Sequence, residues 1–164
     1  MRAALALPFV AIIAVTLPHA SDAGSLRGTA RVLDGDSIEL DGQRVHILDV
    51  DAPEDAQLCF KKAQAIEQAA WPCGREAAAA LADWIGSRTV TCDTTGRGVR
   101  KAWLARCTVG GQDLGEWLAA EGWAVPSLHC KCEIVRDAMD NARALQLGIW
   151  SSNFTMPWDW RNAH

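Results

Sequence analysis

Four carboxylates stand out by their place in the chain: Asp34 and Asp36 in the tight turn Asp34-Gly35-Asp36, and Asp51 and Glu54 around the bend Asp51-Ala52-Pro53-Glu54. Carboxylate and carbonyl oxygens gathered in this way suit a hard cation such as Ca²⁺ or Mg²⁺. Taken singly, each of these residues is ordinary loop chemistry, because Asp-Gly turns and Asp-x-Pro bends are common in surface loops. The informative feature is that two such elements flank one hairpin. The far ends of paired strands lie together, so both acidic clusters would meet at one end of a sheet. A carboxylate beside a cation can take the proton of an attacking water, which is the chemistry of metal-assisted hydrolysis.

The segments around these residues alternate as strands do. Thr29 to Leu33 reads as a strand, Ser37 to Leu40 as a second and Arg44 to Val50 as a third, with Asp41-Gly42 a strong hairpin signal between the last two. Gly74 to Ile85 is Ala-rich with Leu81, Trp84 and Ile85 at helical spacing, and Gly86 stands where a C-terminal cap belongs. Thr89 to Cys92 and Ala102 to Val109 give two more strands. Asp113, with Glu116 three residues on, opens a second helix that Gly122 ends. A third runs from about Glu133 to Leu147, before Gly148. This order predicts an α+β domain: a small five-stranded antiparallel barrel with three helices. The tail, with Trp158 and Trp160, is expected to fold back and bury its tryptophans, leaving a lower-ranked alternative of a partner-binding aromatic peptide.

Met1-Arg2, the apolar stretch Ala3 to Leu17, and small residues at Ser21 and Ala23 describe a secretory signal peptide over residues 1–23, cut before Gly24. The stretch is short for a membrane anchor. A single domain, 24–164, remains, with its core over 29–150 and a Trp-rich tail over 151–164, expected in the periplasm or outside the cell as a monomer without membrane attachment. The formal net charge of −4 counts against a pure nucleic-acid-binding module, since phosphate rewards Lys and Arg. It counts less against a metal-dependent nuclease, where the ion supplies positive charge locally.

All six cysteines follow the leader, and an oxidising compartment makes disulfides their default use. Cys92 and Cys107 border two strands of one hairpin, and Cys59 and Cys73 bracket a polar loop, so the expected pairs are Cys59–Cys73 and Cys92–Cys107. His129-Cys130-Lys131-Cys132 supplies at most three ligands of a zinc site. A local disulfide or thiol pair is its simpler reading. Lys61, Lys62 and Arg97 are most simply solvated loop charges.

The runs Val32-Leu33-Asp34-Gly35-Asp36-Ser37-Ile38 and Ile47-Leu48-Asp49-Val50-Asp51-Ala52-Pro53-Glu54 resemble the staphylococcal nuclease (thermonuclease) family. Cys73-Gly74-Arg75-Glu76-Ala77, Gly122-Trp123-Ala124 and Gly148-Ile149-Trp150 follow in the family's order, so that the resemblance spans about Thr29 to Trp150. The tail Pro157-Trp158-Asp159-Trp160-Arg161 is similar to that of secreted, cysteine-bearing bacterial members. The resemblance implies an OB-fold barrel and a rim site that hydrolyses phosphodiesters of nucleic acid with one Ca²⁺. Asp36 and Asp51 would hold the ion through carboxylates and Ala52 through its carbonyl, with Asp34 close behind and Glu54 as general base.

The sequence departs from that pattern at its cationic positions. Arginines would be expected where His46 and Ala102 stand, and tyrosines in the segment Pro126 to Cys130, yet the chain has no Tyr against eight Trp. Guanidinium forks grip phosphate bidentately, which an imidazole cannot copy. Losing one preorganised charge donor typically costs ~2.7–4 kcal/mol of transition-state stabilisation. Arg100, two residues from Ala102 and so on the same strand face, is the candidate replacement. His46 is either a phosphate contact or a hydrogen-bonded histidine of the barrel. Three readings follow: an endonuclease or phosphodiesterase of altered efficiency, a catalytically impaired metal-binding or accessory envelope protein such as those of exopolysaccharide (succinoglycan) production, and an OB-type binder of sugars or bases.

Overall fold

A computed structural model describes residues 24–62, 69–98 and 101–164. The expected signal peptide over 1–23 and the candidate Arg100 lie outside these described residues. In chain order the first strands are β1 (Ser25–Thr29), β2 (Arg31–Val32), β3 (Ser37–Leu40) and β4 (Gln43–Ile47). Asp41 and Gly42 join β3 to β4 with positive φ at both residues (49° and 73°), the backbone that a two-residue type I′ hairpin demands. Across that hairpin Ser37 lies opposite His46. Ile38, Leu40, Val45 and Ile47 are buried in the core, as the two-residue period of a half-buried strand requires.

The chain continues through β5 (Val50–Asp51), β6 (Cys59–Lys61) and β7 (Ala70–Trp71) into helix α1 (Cys73–Ile85). Ala77, Leu81 and Ile85 recur every fourth residue and are buried, forming the inward stripe of an amphipathic helix. Next come β8 (Thr89–Arg97), β9 (Trp103–Val109) and β10 (Gln112–Asp113). Helix α2 (Leu114–Ala120) follows, with the Asp113 side chain accepting a hydrogen bond from the Glu116 amide at 2.9 Å. That contact satisfies one of the amides left unpaired at a helix start. The remaining elements are β11 (Val125–Pro126), α3 (Glu133–Ala144), a 3₁₀ turn (Gly148–Ser151), β12 (Ser152–Asn153) and α4 (Pro157–Ala163).

The main sheet runs β1-β8-β9-β4-β3-β2, with β10 on β9. It curls around the core cluster formed by Ile38, Val45, Ile47, Leu81, Val90, Leu114 and Leu118, an α+β, OB-type architecture. The pairing is mixed where all-antiparallel pairing was expected, because β4 and β9 run parallel. The segment between them, including α1 and β8, supplies the long crossover that a parallel pair needs. The expected first strand is also divided. β1 pairs β8 and β2 pairs β3, so the chain changes partner near Ala30.

A second, smaller core joins Cys59, Cys73, Val125, Ala142, Ile149 and Trp150, with Trp71, Phe154, Met156 and Trp158 against it. The Cys59–Cys73 disulfide ties β6 to the first residue of α1. β12 then adds to β6, and Trp71 Nε1 donates to Ser152 Oγ at 2.8 Å. The tail folds back onto this layer as expected, but it ends in a fourth helix beyond the three expected. Pro157 fixes a helical φ at the first position, whereas seven residues are too few for propensity alone to announce a helix. Trp158 and Trp160 are half-buried rather than buried; Trp160 stacks on the His164 ring.

Cys92 and Cys107, direct partners across β8 and β9, form the second disulfide. Cys130 and Cys132 form a third, which leaves the soft-metal alternative without a thiolate there. Two of the expected solvated charges have partners: Lys62 Nζ donates to the Trp150 carbonyl at 2.8 Å, and Arg97 lies over the Trp103 ring.

Candidate active site

Two glycines bring the acidic segments together. A methyl group on Gly35 would sit 2.7 Å from Ala52 Cβ and 3.2 Å from Ala77 Cβ, so only glycine lets the Asp34–Asp36 turn seat against the Asp51–Glu54 bend and helix α1. A methyl on Gly74 would collide with the Glu54 carbonyl. The start of α1 therefore presses directly on the bend and fixes its position.

Within this junction Asp36 is buried. Its Oδ2 accepts the Ala52 amide at 2.8 Å, its Oδ1 lies 3.2 Å from His46 Nδ1, and Ser37 Oγ donates to the same Oδ1 at 3.2 Å while lying 3.3 Å from His46 Nδ1. Burial opposes the Asp36 charge, but the hydrogen bond and charge of His46, with the Ala52 amide, outweigh it and hold the pKa below the ordinary carboxylate value. Burial likewise opposes the charged imidazole, and the Asp36 contact outweighs it, with Asp34 and Asp51 adding to the effect, so that the His46 pKa is raised. Asp34 behaves differently. Burial first, then the neighbouring Asp36 charge, push its pKa up to about 6.

Asp51 and Glu54 have a partner that arrives from the other end of the chain. Arg161, on α4, donates from Nη1 to Asp51 Oδ1 at 2.8 Å and from Nη2 to Asp51 Oδ2 at 2.7 Å. The same Nη1 reaches Glu54 Oε1 at 2.7 Å. This is the bidentate fork that a guanidinium makes with a carboxylate, and the Asp51 and Glu54 contacts raise the Arg161 pKa above its already high ordinary value. The tail is pinned where it delivers the residue. Buried Gln57 accepts the Glu54 amide on Oε1 at 3.3 Å and donates from Nε2 to the Thr155 carbonyl at 2.6 Å. One side chain thus ties the acidic bend to the approach of α4.

These groups border a cleft of about 620 Å³ lined by Asp34, Asp36, Arg44, His46, Glu54, Ala102, His129 and Arg161 among others. The positions where the resemblance expects arginines, His46 and Ala102, both face this cleft. His46 stands beside Leu104 in the parallel β4–β9 register. Arg100, offered as a replacement, is outside the described residues. Sequence reasoning missed Arg161 as a site residue, although the Trp158-Asp159-Trp160-Arg161 run was noted. It also missed Asp49, whose left-handed backbone (φ 71°) turns the chain from β4 into β5. Arg106 holds Asp49 at 2.6 Å and Asp113 at 3.0 Å.

The Ca²⁺ expected from the resemblance can be tested against this donor set. Both Asp51 oxygens and one Glu54 oxygen are taken by Arg161, and both Asp36 oxygens by Ala52, His46 and Ser37. Among the described residues no three His, Cys, Asp or Glu side chains are gathered to hold a metal ion. With Arg161 seated, the residues do not fit the ion.

The curled OB-type barrel, with its paired acidic segments at one rim, defines a staphylococcal-nuclease-like protein. The sequence model of the family described as "Staphylococcal nuclease homologue" matches residues 44–152, and the chain belongs to that family. Over 144 residues it is 33% identical to the succinoglycan biosynthesis protein ExoI of Rhizobium meliloti (strain 1021), covering 85% of this chain and 72% of the relative. Arg161 lies beyond the residues that the family model matches.

Proposed function

We propose that the protein is an exported, nuclease-type hydrolase that binds phosphodiesters of DNA or RNA in this cleft and cleaves them with an altered, reduced efficiency. The observation that carries the reading is that Glu54, His46 and Arg161 all line one cleft of a nuclease-family barrel. Arg161 orients the Glu54 carboxylate through Oε1, and that carboxylate can accept a proton from an attacking water. His46, held through Nδ1 by Asp36, has no partner on Nε2 among the described residues, and its raised pKa favours a cation that can face phosphate. Ca²⁺ would serve as an electrophile only with Arg161 withdrawn from Asp51. The three disulfides suit an oxidising compartment after removal of the leader, and no helix among the described residues is long and apolar enough to cross a membrane.

A second reading has its own observation. Arg161 satisfies the carboxylates that would serve catalysis, as a retained but retired site would. On that reading the protein is an accessory factor of envelope polysaccharide production, in line with the name of its Rhizobium relative. One assay separates the two. Mature, oxidised protein is incubated with single- and double-stranded DNA and RNA, with Ca²⁺ or EDTA, beside Glu54→Gln. Cleavage that falls by about 10²–10³ in Glu54→Gln supports the hydrolase. Wild-type activity no greater than that of the variant, across the pH range, removes it.

A further inference from the structure

The contacts of Arg161 decide what the acidic cluster can hold. Its guanidinium spans Asp51 bidentately and reaches Glu54, all three contacts between 2.7 and 2.8 Å. Asp51 is buried, and the Arg161 side chain remains 44% exposed. The cluster is thus filled from the solvent side by a cation that belongs to the chain itself. The arrangement is anchored at several points: β12 is paired to β6, Gln57 holds the Thr155 carbonyl, and Trp158 packs in the second core. The guanidinium and a metal ion need the same Asp51 oxygens, and two cations there would repel each other at contact distance.

We infer that Arg161 is the resident cation of the acidic cluster and sets its specificity: with Arg161 seated, Asp51 and Glu54 exclude a divalent metal, and without it the cluster accepts one. The inference deepens the cleft reading above, but it concerns cation choice and does not depend on hydrolysis. Three charge-assisted hydrogen bonds must break before a metal can bind. Removing the competitor should therefore tighten metal binding by roughly ten- to a hundred-fold, the ratio expected when one strong ion contact ceases to compete.

The test is calorimetric titration of CaCl₂ into mature, oxidised, full-length protein, without nucleic acid, for wild type, Arg161→Gln, Arg161→Lys and the double variant Arg161→Gln/Asp51→Asn. The expected result is weak or unsaturable binding to wild type, at least roughly ten-fold tighter binding to Arg161→Gln, and loss of that gain in the double variant. Arg161→Lys should fall between, because one ammonium cannot fork Asp51 and reach Glu54 together. It also keeps the test informative if the neutral variant unfolds. Wild type binding Ca²⁺ as tightly as Arg161→Gln, or no gain in either single variant, would overturn the inference. Absence of nuclease activity in wild type, with the calorimetric pattern intact, would sink the hydrolase reading and leave this one standing.

Discussion

The barrel and the tail layer are built by different rules, and the site lies on the seam between them. In the barrel most neighbours in space are neighbours in sequence. β3 meets β4 through a two-residue turn, β8 meets β9 as a hairpin, and Cys92 bonds to its direct cross-strand partner. In the tail layer strands of two or three residues meet, and one pairing joins segments about 90 residues apart. β6 pairs with β7 and with β12, and Gln57 bonds to Thr155 across 98 residues. The barrel contributes the carboxylates and the tail layer contributes their countercharge. The chemistry of the cleft is therefore set by docking of the tail as much as by the acidic motifs.

Breaking the barrel should have the largest effect. Ile47 is almost completely buried and immediately follows His46. Ile47→Ala removes core volume that a sheet cannot readily refill, at an expected cost of about 2–5 kcal/mol. If the barrel is the cooperative unit, near- and far-UV circular dichroism should then report one coincident transition at a lower midpoint. Two separated transitions would mean that the layers unfold independently.

The disulfides sharpen the comparison. Cys59–Cys73 and Cys92–Cys107 close loops of similar length, with sequence separations of 14 and 15, for which chain entropy gives about 3 kcal/mol each. A β8–β9 hairpin that partly survives in the unfolded chain already restricts the second loop, whereas no hairpin of that length joins Cys59 to the start of α1. Replacing both Cys59 and Cys73 by Ser should thus approach the full ~3 kcal/mol and speed hydrogen exchange around β12 and α4 before the barrel strands. Replacing Cys92 and Cys107 should cost less and leave tail exchange unchanged. Equal costs with equal exchange would erase the distinction between the layers.

The same difference explains what the sequence made legible. Asp41-Gly42 and the Asp113 cap act within a few residues, so their chemistry can be read locally and the structure has both. The acidic segments were legible because two short motifs flank one hairpin. Arg161 was not, because it is 110 residues from Asp51 and arrives only through the packing of Trp158, Gln57 and β12. β1 escaped notice for a related reason: its alternation of exposed and half-buried residues gives a weak apolar signal, and its partner β8 is a distant segment. The parallel β4–β9 register likewise has no local signature.

Arg161→Gln should cost the fold about 1–2 kcal/mol, less than the ~3–5 kcal/mol of breaking a wholly buried pair, because the guanidinium is partly exposed and screened. Denaturant midpoints would measure it. A loss much above this would show that the tail layer leans on the ion pair rather than on its apolar contacts, and the pair would then count as structure first and cation choice second.

The smallest effect separates the carboxylates of the barrel from one another through pH. His46 has a raised folded pKa, so its contribution is complete below the unfolded value of 6.5 and is lost as pH rises through the folded value. Asp36 has a lowered pKa, so its contribution is present above 3.8 and is lost as pH falls through the folded value. Their contact is therefore at full strength between these limits. Asp34 runs the other way: with its pKa pushed up to about 6 from 3.8, it favours the fold most when protonated, and that contribution fades as pH rises through about 6. Asp34→Asn should flatten the decline in stability between pH 4 and 6, whereas His46→Gln should flatten the decline above 6.5. Both are read as differences in urea midpoint against pH. An unchanged wild-type slope above 6.5 in His46→Gln would mean that the histidine–aspartate contact carries no charge, and His46 would then be a neutral barrel residue rather than the cationic face of the cleft.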